Sequence, residues 1–399
     1  VAQQDGATDW VAVWVIFAGG LAAGAYMTKV PPALPGIRAD LGLTLVQSGL
    51  IQTMLYTIGA AAGVFFGVFA ERAGVKRAAL AGLGTMVAGG LLGALAGGYG
   101  TLLASRFLEG AGFLLFVVSA APLLAAATLP RDRATAFSIW SSYMPTGGTL
   151  ALLLAPLALS TFGWRGLWVA LAAYTALCAV LLARRVPPAH FGGGIGSLRL
   201  LAESLARPGS LALCVGFICY VGQWTSLMTW LPTFVVDERG ASPATASLLT
   251  AAYVAINILG NQLGGVLLRS GVPRSMVMAG GAAAMGVTAA GLLWAAAPDS
   301  VRLGCAMAFS VLGGVIPAAV FSGTTVHAKT QRHIGTTNGM VMQASHASQF
   351  AIPILIAWVA SRGGGWSASL NVMLALAATG IAAGLAVGRF ERRLRSRIE

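Results

Sequence analysis

The chain has 399 residues, 57% of them hydrophobic and 9% charged, with a mean hydropathy of +0.80. Soluble domains average roughly 25% charged residues, so a water-soluble globule is excluded, and the interleaving of 53 glycines with Leu, Val and Phe excludes disorder. The net charge of +13 sits in short loops between apolar runs, where it orients helices and offers no face to nucleic acid.

A crossing helix needs about 20 apolar residues. In chain order the sequence predicts twelve, near 10–36, 46–70, 78–98, 101–128, 134–158 and 166–183, then 210–235, 245–268, 275–297, 301–328, 335–360 and 368–388. The first run ends without a small-residue cleavage motif and reads as a span. Polar residues 184–209 contain Gly192–Gly194 and the amphipathic stretch from Leu198 to Ala206. They read as a cytoplasmic linker, a tether on the inner membrane surface, between a six-helix bundle at 1–183 and a second at 210–399 with a basic tail. Eighteen Lys and Arg residues fall on the side that holds both termini and six on the other, with Arg106 inside a span. This bias places both termini in the cytoplasm of a bacterial-type inner membrane.

The halves are repeats. A shift of 197 residues carries Leu34-Pro35 onto Leu231-Pro232, Asp40 onto Asp237 and Tyr56 onto Tyr253. It also carries Gly63, Gly67, Arg72, Gly74 and Arg77 onto Gly260, Gly264, Arg269, Gly271 and Arg274, and Gly163-Trp164 recurs as Gly365-Trp366. Two similar halves of like orientation imply a pseudo-twofold axis along the membrane normal and a substrate site near the midplane. The expected fold class is an all-α membrane protein of twelve transmembrane helices in two six-helix bundles, able to function as a monomer.

Gly67-Val-Phe-Ala-Glu71-Arg72-Ala-Gly74-Val-Lys76-Arg77 resembles the loop 2–3 signature of the major facilitator superfamily, and Arg106-Phe-Leu-Glu109-Gly110-Ala-Gly112 resembles its span-4 signature. The resemblance covers essentially the whole chain. It implies two bundles working by alternating access, with Gly67, Glu71, Arg72, Gly74 and Arg77 as a conformational latch in the outward-open state. Pro145-Thr146-Gly147-Gly148 and Gly163-Trp164-Arg165 are similar to the cyanate-permease-like branch. A carboxylate at the latch position can cap a helix N-terminus; an ordinary loop charge is the plainer reading. The second copy carries Leu268 where Glu71 stands, so the latch is expected on one side only.

Ionisable groups inside spans cost roughly 2.5–3.5 kcal/mol at the helix centre, so each calls for a reason. Arg106 and Glu109 lie one turn apart, Glu109 about 12 Å into the membrane. Glu109 is either a carboxyl that carries a proton, its charge disfavoured by burial and favoured by Arg106, or half of a structural ion pair. Tyr26 and Lys29 share a face of span 1, where Lys29 either attracts an anionic substrate or reaches the outer headgroups. Asp40 is able to pair with neighbouring bases, although an exposed loop charge is the favoured reading. Gln223 and Trp224 in span 7, Asn257 and Asn261 in span 8, and Gln343 and His346 in span 11 are hydrogen-bonding groups near one depth, which suits a small polar ligand or interhelical bonding. His346 is also able to take a proton. Tyr143 and Pro145 suggest a kinked stretch facing a cavity.

Cys178, Cys214, Cys219 and Cys305 lie in apolar runs without CxxC spacing and read as packing residues. Four scattered histidines without HExxH spacing, and no Gly-x-x-x-x-Gly-Lys-Ser/Thr run, argue against an enzyme, a metal site, a cofactor or ATP-driven pumping. The leading reading is a secondary transporter that takes up a small anion with protons. Its partners are then the small solute, protons and membrane lipid. Export of drugs or amphiphilic metabolites by proton antiport is the rival, although Met144-Pro145-Thr146-Gly147-Gly148 lacks one Gly and one spacer of the antiporter signature. A sensor that binds without transporting is the reading from another class.

Overall fold

Inside a bilayer each backbone N–H and C=O must be satisfied within its own segment, so apolar runs of this length become helices. The computed structural model describes residues 7–62, 73–129, 132, 136, 139–140, 142–188, 203–294, 296–329 and 331–395. Among these, thirteen main α-helices follow one another. They are α1 (Trp10–Thr28), α2 (Val30–Leu41), α3 (Leu45–Thr53), α4 (Val75–Ala94), α5 (Tyr99–Ala127), α6 (Tyr143–Arg185) and α7 (Pro208–Arg239). Then come α8 (Pro243–Arg269), α9 (Arg274–Leu293), α10 (Asp299–Gly313), α11 (Ile316–His327), α12 (Gln331–Val359) and α13 (Leu370–Arg395).

Several helices differ from the expected spans. Span 1 is interrupted at Lys29 and runs on as α2 to Leu41. Span 10 is interrupted between α10 and α11. Spans 5 and 6 are joined without a loop, because Gly163 alone (φ 65°, ψ −175°) breaks the 43-residue α6; that φ is left-handed and open to glycine at no steric cost.

By contact the chain divides into two compact units, Val1–Gly193 with Gly240–Ala251, and Gly194–Arg239 with Ala252–Glu399. Within the first, α4 packs along α5 and α6, and α1 along α6; within the second, α9 packs along α10 and α13, and α7 along α12. These are the same pairings one repeat apart. The repeat is also written in the backbone. Among the described residues every positive φ belongs to a glycine, and the six fall into pairs: Gly42 and Gly240 (63° and 62°), Gly74 and Gly271 (88° and 89°), Gly163 and Gly365 (65° and 56°).

Of the expected latch, Gly67, Glu71 and Arg72 lie outside the described residues, as does most of the stretch from Leu198 to Ala206. Gly74 opens α4, Arg77 is exposed on its first turn, and the neighbouring Lys76 Nζ donates to Ala183 O at 2.8 Å. In the second repeat Arg274, the counterpart of Arg77, is not left without an acid. Its Nη1 lies 3.2 Å from Glu391 Oε1 at the end of α13, and its Nε donates to Ser322 Oγ at 3.0 Å. Span 12 thus offers Arg274 an acid that Leu268 does not, while Glu71 of the first repeat lies outside the described residues.

Candidate functional site

Pro31 and Pro32 carry no N–H, so the carbonyls of Met27 and Thr28 lose their helical donors. The ladder is broken there, although Lys29 keeps helical dihedrals (φ −66°, ψ −28°). α3 ends at Thr53, where the chain tightens into a 3-10 turn over Met54–Tyr56. Helix C-termini present unsatisfied carbonyls and partial negative charge, which favour cations. Arg106 on α5 serves both ends: its Nη1 donates to Tyr26 O and its Nε to Ile51 O, each at 3.1 Å. Gln52 Nε2 on α3 donates to Met27 O, also at 3.1 Å.

Glu109 lies one turn along α5 and receives both cations. Lys29 Nζ is 2.7 Å from its Oε1, and Arg106 Nη1 is paired with its Oε2; all three side chains are 0% exposed. The Lys29 ammonium also stands over the rings of Tyr26 and Trp168, 4.1 and 4.2 Å from their centroids, an arrangement attractive for a cation. The Tyr26 hydroxyl donates to Met86 O at 3.0 Å. Glycines of α4 leave the space. A Cβ on Gly89 would stand 2.8 Å from Glu109 Cγ, and one on Gly93 would stand 2.5 Å from Ser105 Oγ and 2.6 Å from Trp168 Nε1. Two cations on one carboxylate leave a surplus positive charge, and Arg106 Nη2, Ser105 Oγ and Trp168 Nε1 are buried without hydrogen-bond partners.

The structure thus joins the Tyr26–Lys29 pair of span 1 to the Arg106–Glu109 pair of span 4, two pairs that the sequence singled out separately. It adds Gln52, Ser105 and Trp168, which the sequence reading missed. Full burial removes the alternative in which Lys29 reaches the headgroups. Tyr143 stands apart from this cluster, stacked on Trp140 with ring centroids 4.3 Å apart and packed against Gly20 of α1. Asp40 is no isolated loop charge: it closes α2, accepting from Arg165 Nη1 at 2.5 Å and Trp164 Nε1 at 3.1 Å. The Arg165 hydrogen bond, then that of Trp164, holds its carboxyl below the ordinary range.

In the second unit the candidates form an uncharged network. Asn257 Nδ2 donates to Ser310 O at 2.7 Å and to the Tyr220 hydroxyl at 3.3 Å, and its Oδ1 accepts from Asn261 at 3.0 Å. Trp224 Nε1 donates to Ser310 Oγ at 3.0 Å, and the Tyr253 hydroxyl returns to Trp224 O at the same distance. Gln223 lines a narrow recess with Tyr220, Cys219 and Met285, its Oε1 buried without a partner. Span 11 enters through Ser348, which donates to Ile218 O at 2.6 Å; His346 beside it is buried and Gln343 half-buried.

Among the described residues ten helices are long and apolar enough to cross a membrane, and with charged side chains enclosed among the helices of the first repeat they describe a multi-pass membrane protein. The chain matches the Major Facilitator Superfamily over residues 15–353 and belongs to that family, which makes it a secondary transporter of small molecules rather than an enzyme. It is 25% identical to the hexuronate transporter of Bacillus subtilis over 386 residues, 90% of this chain and 89% of that one. It is likewise 25% identical to a probable sulfoacetate transporter of Cupriavidus necator over 394 residues, 90% of each chain. Among solved structures, a bacterial homolog of the human lysosomal transporter Spinster, in an inward-facing and unoccupied conformation, superposes with a TM-score of 0.81 at 16% identity, covering 96% of each chain.

Proposed function

We propose that this transporter takes up a small organic anion together with protons by alternating access across a bacterial-type inner membrane, with both termini cytoplasmic and one chain sufficient. The carrying observation is the enclosed cluster in which Lys29 and Arg106 share the single carboxylate of Glu109 while Arg106 Nη2 remains without a partner. A surplus cation away from water seeks an anion. Relatives named for hexuronate and sulfoacetate, both anions, support the charge of the cargo. Glu109 is the group that exchanges the proton: neutralised, it releases both cations for the substrate, and ionised it takes them back. Within the second repeat, Gln223, Trp224, Asn257, Asn261, Gln343 and His346 are the candidate uncharged groups for a polar solute, and Tyr143 is a further candidate in the first.

Reconstituted protein offered a panel of uronates, sulfonates and lipophilic cations, with and without an acid-outside pH gradient, tests this. Accumulation of an anion under the gradient, lost in Lys29→Ala, supports it. Gradient-driven extrusion of cations or amphiphiles, unaffected by Lys29→Ala, replaces it with an exporter. Binding of an anion without movement replaces it with a sensor.

A further inference from the structure

The two repeats differ at one point that the transport reading leaves unused. Pro31 and Pro32 have Met228 and Thr229 at the matching positions 197 residues on, and Gln52 has Leu249. α7 runs uninterrupted through that region from Pro208 to Arg239, whereas the first span is divided into α1 and α2. The prolines and the glutamine occur together in one repeat and are replaced together in the other. Their geometry gives the reason. Gln52 Nε2 donates to Met27 O at 3.1 Å, the carbonyl that Pro31 leaves without an N–H. Gln52 is 0% exposed and its Oε1 is buried without a partner, so the amide is held there by its donor.

We infer that Lys29 to Pro32 form a hinge in the first span and that Gln52 is its positioning residue, a side-chain donor standing in for a backbone rung so that Lys29 is presented to Glu109. This rests on the reading that Glu109 exchanges a proton during transport. A helix lacking rungs bends where they are missing, and hinges concentrate at element ends that absorb the change. The two arms are well defined. α1 is gripped through Tyr26 O by Arg106 and through Met27 O by Gln52. α2, a twelve-residue rod with prolines in its first turn, is clamped at its far end where Asp40 accepts from Arg165 and Trp164. Lys29 sits at the pivot. The groups facing it and Glu109 are Tyr26 from α1, Arg106 on α5, Trp168 on α6 and the bare Gly89 of α4. Breaking the Lys29–Glu109 pair therefore acts directly on the pivot, and the angle between α1 and α2 changes there while Tyr26 O and the far end of α2 stay held.

The design of the test follows from chemistry: Pro31→Ala returns an N–H to Met27 O, so it should make Gln52 dispensable. Thermal midpoint and anion uptake against pH are measured for the native chain, Gln52→Leu, Pro31→Ala and the double variant. Gln52→Leu alone should lower uptake about tenfold, the scale of one buried acceptor left unpaired, and displace its pH profile while equilibrium binding of the same anion is retained. In the Pro31→Ala background the same substitution should leave the midpoint unchanged, which also keeps the test open if Gln52→Leu alone folds poorly. Nitroxides on Val11→Cys of α1 and Ala39→Cys of α2, both exposed positions, in a Cys305→Ser background should report two distances exchanging with pH in the native chain and one after Pro31→Ala. Additive effects on the midpoint, or label distances indifferent to pH, overturn the hinge. Native uptake indifferent to pH overturns the proton reading instead, and the thermal cycle, which needs no transport, still decides whether Gln52 serves Pro31.

Discussion

Lys29 Nζ lies 2.7 Å from Glu109 Oε1, and neither side chain has any exposed surface. Removing two charges from water costs several kcal/mol per ion, regained only where the remaining donors and acceptors are also met. Here Arg106 completes the carboxylate, and two helix C-termini and two aromatic rings accommodate the cations.

The charge count ranks two substitutions. Glu109→Gln leaves Lys29 and Arg106 buried together without a counter-ion and should destabilise by about 3–5 kcal/mol. Lys29→Met leaves Glu109 balanced by Arg106 and should cost less. Thermal unfolding in detergent reads the order of the two midpoints, and Lys29→Met falling below Glu109→Gln would contradict the count.

The glycine face of α4 should discriminate sharply between positions. Gly93→Ala forces a methyl against Ser105 Oγ and Trp168 and should cost about 1–3 kcal/mol by overpacking. Gly84, on the same helix, has nothing within 4 Å of a built Cβ, so Gly84→Ala should stay within about 0.5 kcal/mol of the native chain. Unfolding midpoints of the pair check this, and equal effects would show that the cluster is looser than described.

Asp40 gives a pH signature outside the membrane. Its folded carboxyl titrates below its ordinary range because Arg165 and Trp164 donate to it. Such a group contributes stability that is present above its unfolded value and lost as pH falls through the lower folded value. Native protein should therefore exceed Asp40→Asn in midpoint near neutral pH, with the gap closing as pH falls below the ordinary carboxylate range. A gap that widened on acidification would have the wrong sign.

In the second repeat Asn257 joins spans 7, 8 and 10, while Asn261 is half-buried and donates only to Asn257. Asn257→Leu should cost about 1 kcal/mol and Asn261→Leu less, as interhelical hydrogen bonds in membranes average well under 2 kcal/mol. Unfolding in mixed micelles measures both.

Much of this was legible in the residues. Hydropathy gave the spans and the 197-residue shift gave the repeat, which the paired left-handed glycines then reproduced. Lys29 and the Arg106–Glu109 pair stood out because charge inside a span demands a reason. Their convergence did not, since it depends on how spans 1 and 4 are rotated against each other across 80 residues of chain. Trp168 was overshadowed by Trp164 in the Gly163-Trp-Arg motif; the turn at Gly163 is what carries it inward. Gln52 had a usable signal that went unread: two consecutive prolines in a span leave two carbonyls without donors, and a glutamine at matching depth in the next span is a natural replacement. The partners of Asp40 lie 124 and 125 residues away, so no local pattern chooses between its pairing and its standing alone.

The central claim is that Glu109 takes a proton as the anion enters with it. The most direct measurement is proton flux into liposomes holding a trapped pH-sensitive dye when the transported anion is added outside. The account predicts that the lumen acidifies with the native chain and not with Glu109→Gln. Accumulation of the anion without acidification, or acidification that survives Glu109→Gln, would contradict it.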